Sequence, residues 1–108
     1  MRPIDPAAFA ARLQVEAEHR VADGSGGFLQ QWKASGWCRA RLGPRSAAAR
    51  ERAETRFSEI RHEITVRYRT DLGPGMRLRL GKRVFAIDSV HDPDESRRYL
   101  VCRTREER

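Results

Sequence analysis

The sequence is poor in cysteine, lysine and aromatic residues, and it has no long apolar run. Two cysteines, Cys38 and Cys102, stand far apart in 108 residues, too few for the disulfide framework of a small secreted domain. They are expected to be reduced, buried thiols in a cytoplasmic protein. No segment approaches the ~20 consecutive apolar residues that cross a bilayer, and none has the apolar core of a secretory leader, so no membrane partner is expected. Histidine is scarce too. His19, His62 and His91 fall in separate segments, none at ligand spacing from a cysteine or another histidine, and no metal or other cofactor is expected. Asp92, Asp94 and Glu95 cluster, but their spacing is not that of an EF-hand loop, and Asp-Pro-Asp is common turn chemistry. The serines lack a nucleophile-elbow context. No catalytic constellation emerges, and the chain is expected not to be an enzyme.

What is present is charge. Charged residues make up 34% of the chain and the net charge is +7. Of 22 basic residues, all but Lys33 and Lys82 are arginine. Arginine pairs with phosphate and carboxylate through a planar fork, which admits a nucleic-acid partner; it equally serves as the solvated face of strands. The 15 acidic residues are interspersed, so there is no single-sign run.

The apolar residues are periodic, and the length fits one domain, residues 1–108. Asp5-Pro6 can open a short helical turn over Ala7 to Arg12. Leu13, Val15, Ala17, His19 and Val21 then alternate with polar residues, a half-buried strand. Asp23-Gly24-Ser25-Gly26-Gly27 reads as a hairpin connection, since the Lys-Ser/Thr of a phosphate loop is missing. Phe28 to Leu42 is a second strand region interrupted at Ser35-Gly36. Trp32 and Trp37 are five apart and fall on opposite faces unless a bulge at Gly36 intervenes; one is expected in the core and the other against a partner, although both fit a core.

Gly43-Pro44 is expected to stop that strand. From Ser46 onward, Ala47 to Glu54 favours helix yet has almost nothing large to bury, so residues 43–57 read as a projecting loop or short helix. His62, Ile64, Val66 and Tyr68 alternate with Arg61, Glu63, Thr65, Arg67 and Arg69, the clearest strand of the chain, and His19 and His62 are placed on apolar strand faces. Met76, Leu78 and Leu80 alternate with Arg77 and Arg79. Gly81-Lys82 is a two-residue turn suited to type II′. Val84 to Ile87, then Tyr99 to Cys102, complete the strands, and residues 103–108 form a charged tail. The expected fold is mainly β, a small antiparallel β-barrel or sandwich with one inserted helix or loop.

Residues from Arg61 onward carry a resemblance. Arg61-His62-Glu63-Ile64-Thr65-Val66-Arg67-Tyr68-Arg69, then Leu72-Gly73-Pro74-Gly75-Met76-Arg77-Leu78, Gly81-Lys82-Arg83-Val84-Phe85-Ala86-Ile87 and Arg97-Arg98-Tyr99-Leu100-Val101-Cys102 follow one another in the order of the phage head–tail joining family. These proteins are also called head–tail adaptor, stopper or head-closure proteins, and the family includes gene transfer agent relatives. In the N-terminal half, Pro44 to Arg56 stands where the family has an acidic, glycine-containing element.

The resemblance implies a structural ring of identical subunits in the neck of a phage-like particle, assembled in the bacterial cytoplasm. The ring would have six or twelve copies. It would sit between a portal or adaptor on the head side and a tail terminator or tail tube on the tail side, with double-stranded DNA passing through its centre. By position, the channel or partner loop would be residues 43–57, with Arg45, Arg50, Arg52 and Arg56 as its contacts. Trp32, Trp37, Arg67, Arg69, Arg77 and Arg79 are the expected subunit or ring contacts. The competing readings are a tail terminator-type neck component and a sequence-independent nucleic-acid-binding small β-barrel. The latter wants exposed aromatics among basic residues, whereas aromatics are 7% of the chain and Tyr68 is placed on the apolar face.

Overall fold

Alternating apolar and polar residues produce strands with one buried face, and here six such strands close on one another. The computed structural model describes residues 8–45 and 60–107. Its elements are β1 (Ala11–Ala22), β2 (Phe28–Arg45), β3 (Ile60–Arg67), β4 (Arg77–Leu80), β5 (Arg83–His91) and β6 (Tyr99–Glu107). They form a closed antiparallel barrel in the order β1-β2-β3-β6-β5-β4. Among the described residues there is no α-helix. Of the expected N-terminal helical turn, Ala8 lies in a 3₁₀ turn, but Ala11 and Arg12 already belong to β1. The helix expected after Ser46 lies outside the described residues.

The core is the inward set of the strands. Leu13, Val15, Ile64, Val66, Leu78 and Phe85 are fully buried, with Ile87, Leu100 and Cys102 packed among them. Both cysteines are free thiols. Burial pushes the Cys102 thiol up to about 12 and raises that of the half-buried Cys38 as well. A second, smaller cluster sits on the outer face. Phe9 stacks on Tyr99 with ring centroids 5.7 Å apart, and Thr65 and Val101 are buried on the same side of the sheet.

Three irregularities shape the barrel. In β2 the pairing slips between Val15–Gly36 and Glu16–Ala34, leaving Ser35 as an extra residue. In β5, Asp88 is extra between the Ile87–Thr104 and Ser89–Arg103 pairs. The third corrects the expectation that Gly43-Pro44 ends a strand: β2 continues to Arg45, whose backbone pairs with His62, and a bulge absorbs the Gly-Pro pair. Glycine is required at 43 because a Cβ there would stand 2.6 Å from the Glu63 carbonyl oxygen. Gly81-Lys82 makes the expected two-residue turn, with Leu80 paired to Arg83 and Gly81 at φ +59°, in the left-handed region that a side chain disfavours.

β1 and β2 are longer than the barrel needs. β4 joins β1 only at Gln14, Val15 and Glu16, and β3 joins β2 only from Ala40 onward. Beyond those points Ala17–Ala22 and Phe28–Lys33 pair with each other, a two-stranded arm about 20 Å long at ~3.3 Å per residue. The radius of gyration is 15.3 Å, above the ~13 Å of a compact chain of this length. His19 lies on this arm and is exposed, not on a buried face as its alternation implied, because no opposite wall covers the strand there. Tyr68 is 39% exposed: β3 ends at Arg67, so the period of two no longer holds at the next residue.

Replacing Phe85 by Ala, at the centre of the barrel, is expected to cost about 3–5 kcal/mol, a large share of the 5–15 kcal/mol typical of a domain. Urea unfolding measures it, and a loss under about 1 kcal/mol would mean that the barrel interior does not hold the fold.

A candidate partner-binding surface

The outer face where β1, β2 and β4 meet gathers most of the sequence-selected residues. Arg12, Gln14, Glu16 and Glu18 alternate outward on β1. Because Ser35 is extra, Trp37 pairs with Gln14 and Trp32 with Glu18. The bulge therefore brings both tryptophans to this one face, and neither enters the core. The Arg77 guanidinium lies 4.1 Å from the Trp32 ring centroid and that of Arg12 lies 4.4 Å from Trp37. Trp37 is 51% exposed.

Glu16 organises this face. It points outward, yet its residue exposure is only 7%, because Arg77 and Arg79 close over it. Arg77 Nε donates to Oε1 at 2.6 Å, and Arg79 Nε lies 3.3 Å from both carboxylate oxygens. Sequence reasoning treated these two arginines as free for a neighbouring ring and passed over Glu16. Arg69 is also engaged: it donates through Nε and Nη2 to Asp71, and through Nη1 to the Trp37 carbonyl oxygen at 3.0 Å. That salt link holds the Asp71 carboxyl below the usual carboxylate range. Arg67 lies over Phe9 at 5.5 Å. The structure thus brings Trp32, Trp37, Arg77 and Arg79 together, sets Arg69 at their edge and places Arg67 apart on β3. Arg45 ends β2; Arg50, Arg52 and Arg56 lie outside the described residues.

Two further features lay outside the sequence reading. The arm tip exposes Phe28 (67%) and Leu29 (55%) beside the turn in which Asp23 Oδ1 accepts from the Ser25 and Gly27 amides. The signal was a Phe-Leu pair directly after a glycine-rich turn. At the opposite end of the strands, His62, Glu106 and Arg83 cap the barrel. His62 Nε2 and Glu106 Oε1 are 2.9 Å apart, and Arg83 donates to both Glu106 oxygens at 3.0 Å. The His62 ring meets Phe85 edge-on at 5.4 Å, and its Nδ1 is buried without a hydrogen-bond partner. The hydrogen bonds from Arg83, and then His62, hold the Glu106 carboxyl below its ordinary range against the opposing effect of burial.

Arg45 and Ile60, the described residues on either side of 46–59, lie at this capped end beside the His62 and Glu106 positions. The arm and this capped end are therefore at opposite ends of β2. In the polar turn after β5, Asp92 accepts from the Arg97 amide at 2.7 Å and Asp94 from the Ser96 amide at 3.1 Å, so these carboxylates shape a turn.

Comparison with known proteins gives three findings. A family profile described as phage head completion protein matches residues 4–107. A chain in the virion of a native gene transfer agent particle is 33% identical, with a TM-score of 0.68 over 90% of this chain and 93% of that one. The solution structure of a protein from Shigella flexneri 2a is 23% identical, with a TM-score of 0.66 over 89% of this chain and 90% of that one, and it shares the fold. No curated protein matches the chain.

Glu16→Gln is expected to destabilise the protein by about 3 kcal/mol, because it takes the 2.6 Å carboxylate from Arg77, whose side chain is 13% exposed, and leaves it only the more distant Glu107 at 3.9 Å. Tryptophan fluorescence during urea unfolding reads this directly, and a loss below about 1 kcal/mol would show the cluster to be ornamental. Glu106 has the acid-side sign: a depressed carboxyl stabilises fully above the ordinary carboxylate pKa of about 4.3, and that stabilisation is lost as pH falls through the folded-state value. Glu106→Gln should therefore lose less stability than wild type on going from pH 7 to about pH 3. An unchanged acid profile would remove this residue from the account.

Proposed function

The chain belongs to the phage head completion protein family and is a structural component of phage-type particles, and from that premise we propose that it forms a ring in the neck, between portal or adaptor and tail. The observation that carries this reading is the family match across residues 4–107, which includes the barrel, the arm and the connection after β2 as one unit. In this reading the ring is built by heterologous contacts that close after a fixed number of copies. Two parts of the chain serve different neighbours: the arm, with Phe28 and Leu29 at its tip, meets protein surface, and residues 43–57 reach toward the channel or an adjoining ring.

Arg45, Arg50, Arg52 and Arg56 act in that segment, where contacts to DNA phosphate are sequence-independent and salt-sensitive. Trp32 and Trp37 offer a rigid aromatic surface to the next subunit, held in place by Arg77 and Arg12. Arg67, Arg69, Arg77 and Arg79 present the outer faces of β3, β4 and the loop after β3, their intramolecular partners fixing the guanidinium planes. Assembly of such a particle takes place in the bacterial cytoplasm.

Particles produced without this chain are expected to be filled heads that lose DNA and carry no tails, and supplying the chain in trans should restore both. Deleting Ala47 to Ala53 should leave the chain in the particle but release packaged DNA or block tail attachment. Retained DNA and normal tails in both cases would sink the proposal.

A further inference from the structure

One patch of the outer surface makes no structural sense within the chain. Arg12 on β1 is the direct cross-strand partner of Arg39 on β2. Ala40 pairs with Val66, so the next position along sets Arg39 beside Arg67 on β3. Arg41 follows two residues later on the same face of β2, opposite Thr65. All four arginines are exposed. Three guanidinium-bearing residues thus stand in a row across three neighbouring strands, about 5 Å from one strand to the next.

Like charges directly opposite each other in a sheet are destabilising, and here no acid among the described residues pairs with Arg39 or Arg41. The nearby acids are used elsewhere: Glu16 by Arg77 and Arg79, Asp71 by Arg69, while Glu63 stands opposite Arg103. Arg12 rests on Trp37 and Arg67 on Phe9, contacts that orient the groups without neutralising them. Arg39 and Arg41 have no hydrogen bond or ion pair with any described residue.

We propose that the Arg12–Arg39–Arg67 row, with Arg41, is a binding face for the phosphate backbone of duplex DNA. This deepens the neck reading, on which it rests for the source of the DNA. The charge complementarity is specific in kind. A second copy of this chain carries the same net charge of +7 and so brings the row no net counter-charge. A single carboxylate neutralises one guanidinium, whereas a phosphate strand offers successive charges, about one per 3.4 Å of helix axis, so several guanidiniums of the row can be met at once. Contacts to phosphate carry no sequence information, so such a row gives affinity without sequence preference.

The test uses the full-length chain and a fluorescent duplex of about 30 base pairs, with anisotropy read from ~50 to ~300 mM salt. Arg39→Gln with Arg41→Gln removes two exposed charges that hold nothing in the fold. The expected result is an affinity loss of about tenfold or more and a salt slope smaller by about 2. The charge-matched control, Lys33→Gln with Lys82→Gln, should lose less than about threefold. Equal losses in the two variants would overturn the assignment, as would failure of the wild type to bind duplex at the lowest salt. Polyglutamate is the third arm: if it binds more tightly than the duplex and depends on Arg39 and Arg41, the patch recognises acidic protein and the proposal falls. Each of these results leaves the neck reading standing, because that reading is decided by tail attachment and DNA retention in particles.

Discussion

The structure turns on one short seam. β1 meets β4 through three residue pairs, Gln14–Arg79, Val15–Leu78 and Glu16–Arg77, and this contact closes the barrel. On the inside, Val15 and Leu78 are both fully buried and supply the hydrophobic driving force for closure. On the outside, the Glu16 carboxylate draws Arg77 and Arg79 across the join. Hydrophobic burial and a desolvated ion cluster thus act on opposite faces of the same three residue pairs, so each strengthens the geometry the other needs. Ionic clusters of this kind contribute more to register than to net stability, and register matters here because a one-residue slip would turn Val15 and Leu78 outward.

The same seam sets what the barrel presents to partners. Past Glu16, β1 has no further neighbour on its β4 side, so the hairpin continues as an arm with exposed apolar residues at its tip. The extra residue at Ser35 lies across from this point. It rotates the second half of β2 so that Trp37 shares a face with Trp32, and the tryptophans then become supports for Arg77 and Arg12. Arginine, more weakly hydrated and planar, can stack on indole and grip a carboxylate at once, which accounts for a surface built almost wholly from arginine rather than lysine. At the far end, beside Arg45 and Ile60, His62, Glu106 and Arg83 cap the core. A subunit with distinct apparatus at its two ends suits a place between two unlike neighbours.

Much of this was readable in the sequence. The period of two located β1, β3 and β4, an apolar run after the turn located β5, the Gly81-Lys82 turn was placed to the residue, and the barrel class followed from several short strands with glycine and proline turns. The family resemblance lay in β3 through β6, where turn chemistry and alternation leave the fewest alternatives. What failed did so for identifiable reasons. Gly43-Pro44 looked like a stop, but a bulge tolerates proline and the Glu63 carbonyl demands glycine. His19 and Tyr68 obeyed the alternation but lay beyond the ends of the barrel wall, and alternation reports a face, not whether anything covers it. The tryptophan faces depended on a one-residue bulge that spacing permits but cannot choose. Glu16 was invisible because a buried outward carboxylate looks, in sequence, like any solvated strand residue.

The central claim is that copies of this chain ring the channel at the junction of head and tail. A reconstruction of the intact particle by electron microscopy tests it most directly. The account predicts a closed ring of these barrels, coaxial with the DNA, with the arms and the 46–59 connections directed to opposite faces of the ring. Barrels found off the axis, elsewhere on the particle, or in no particle at all would contradict it.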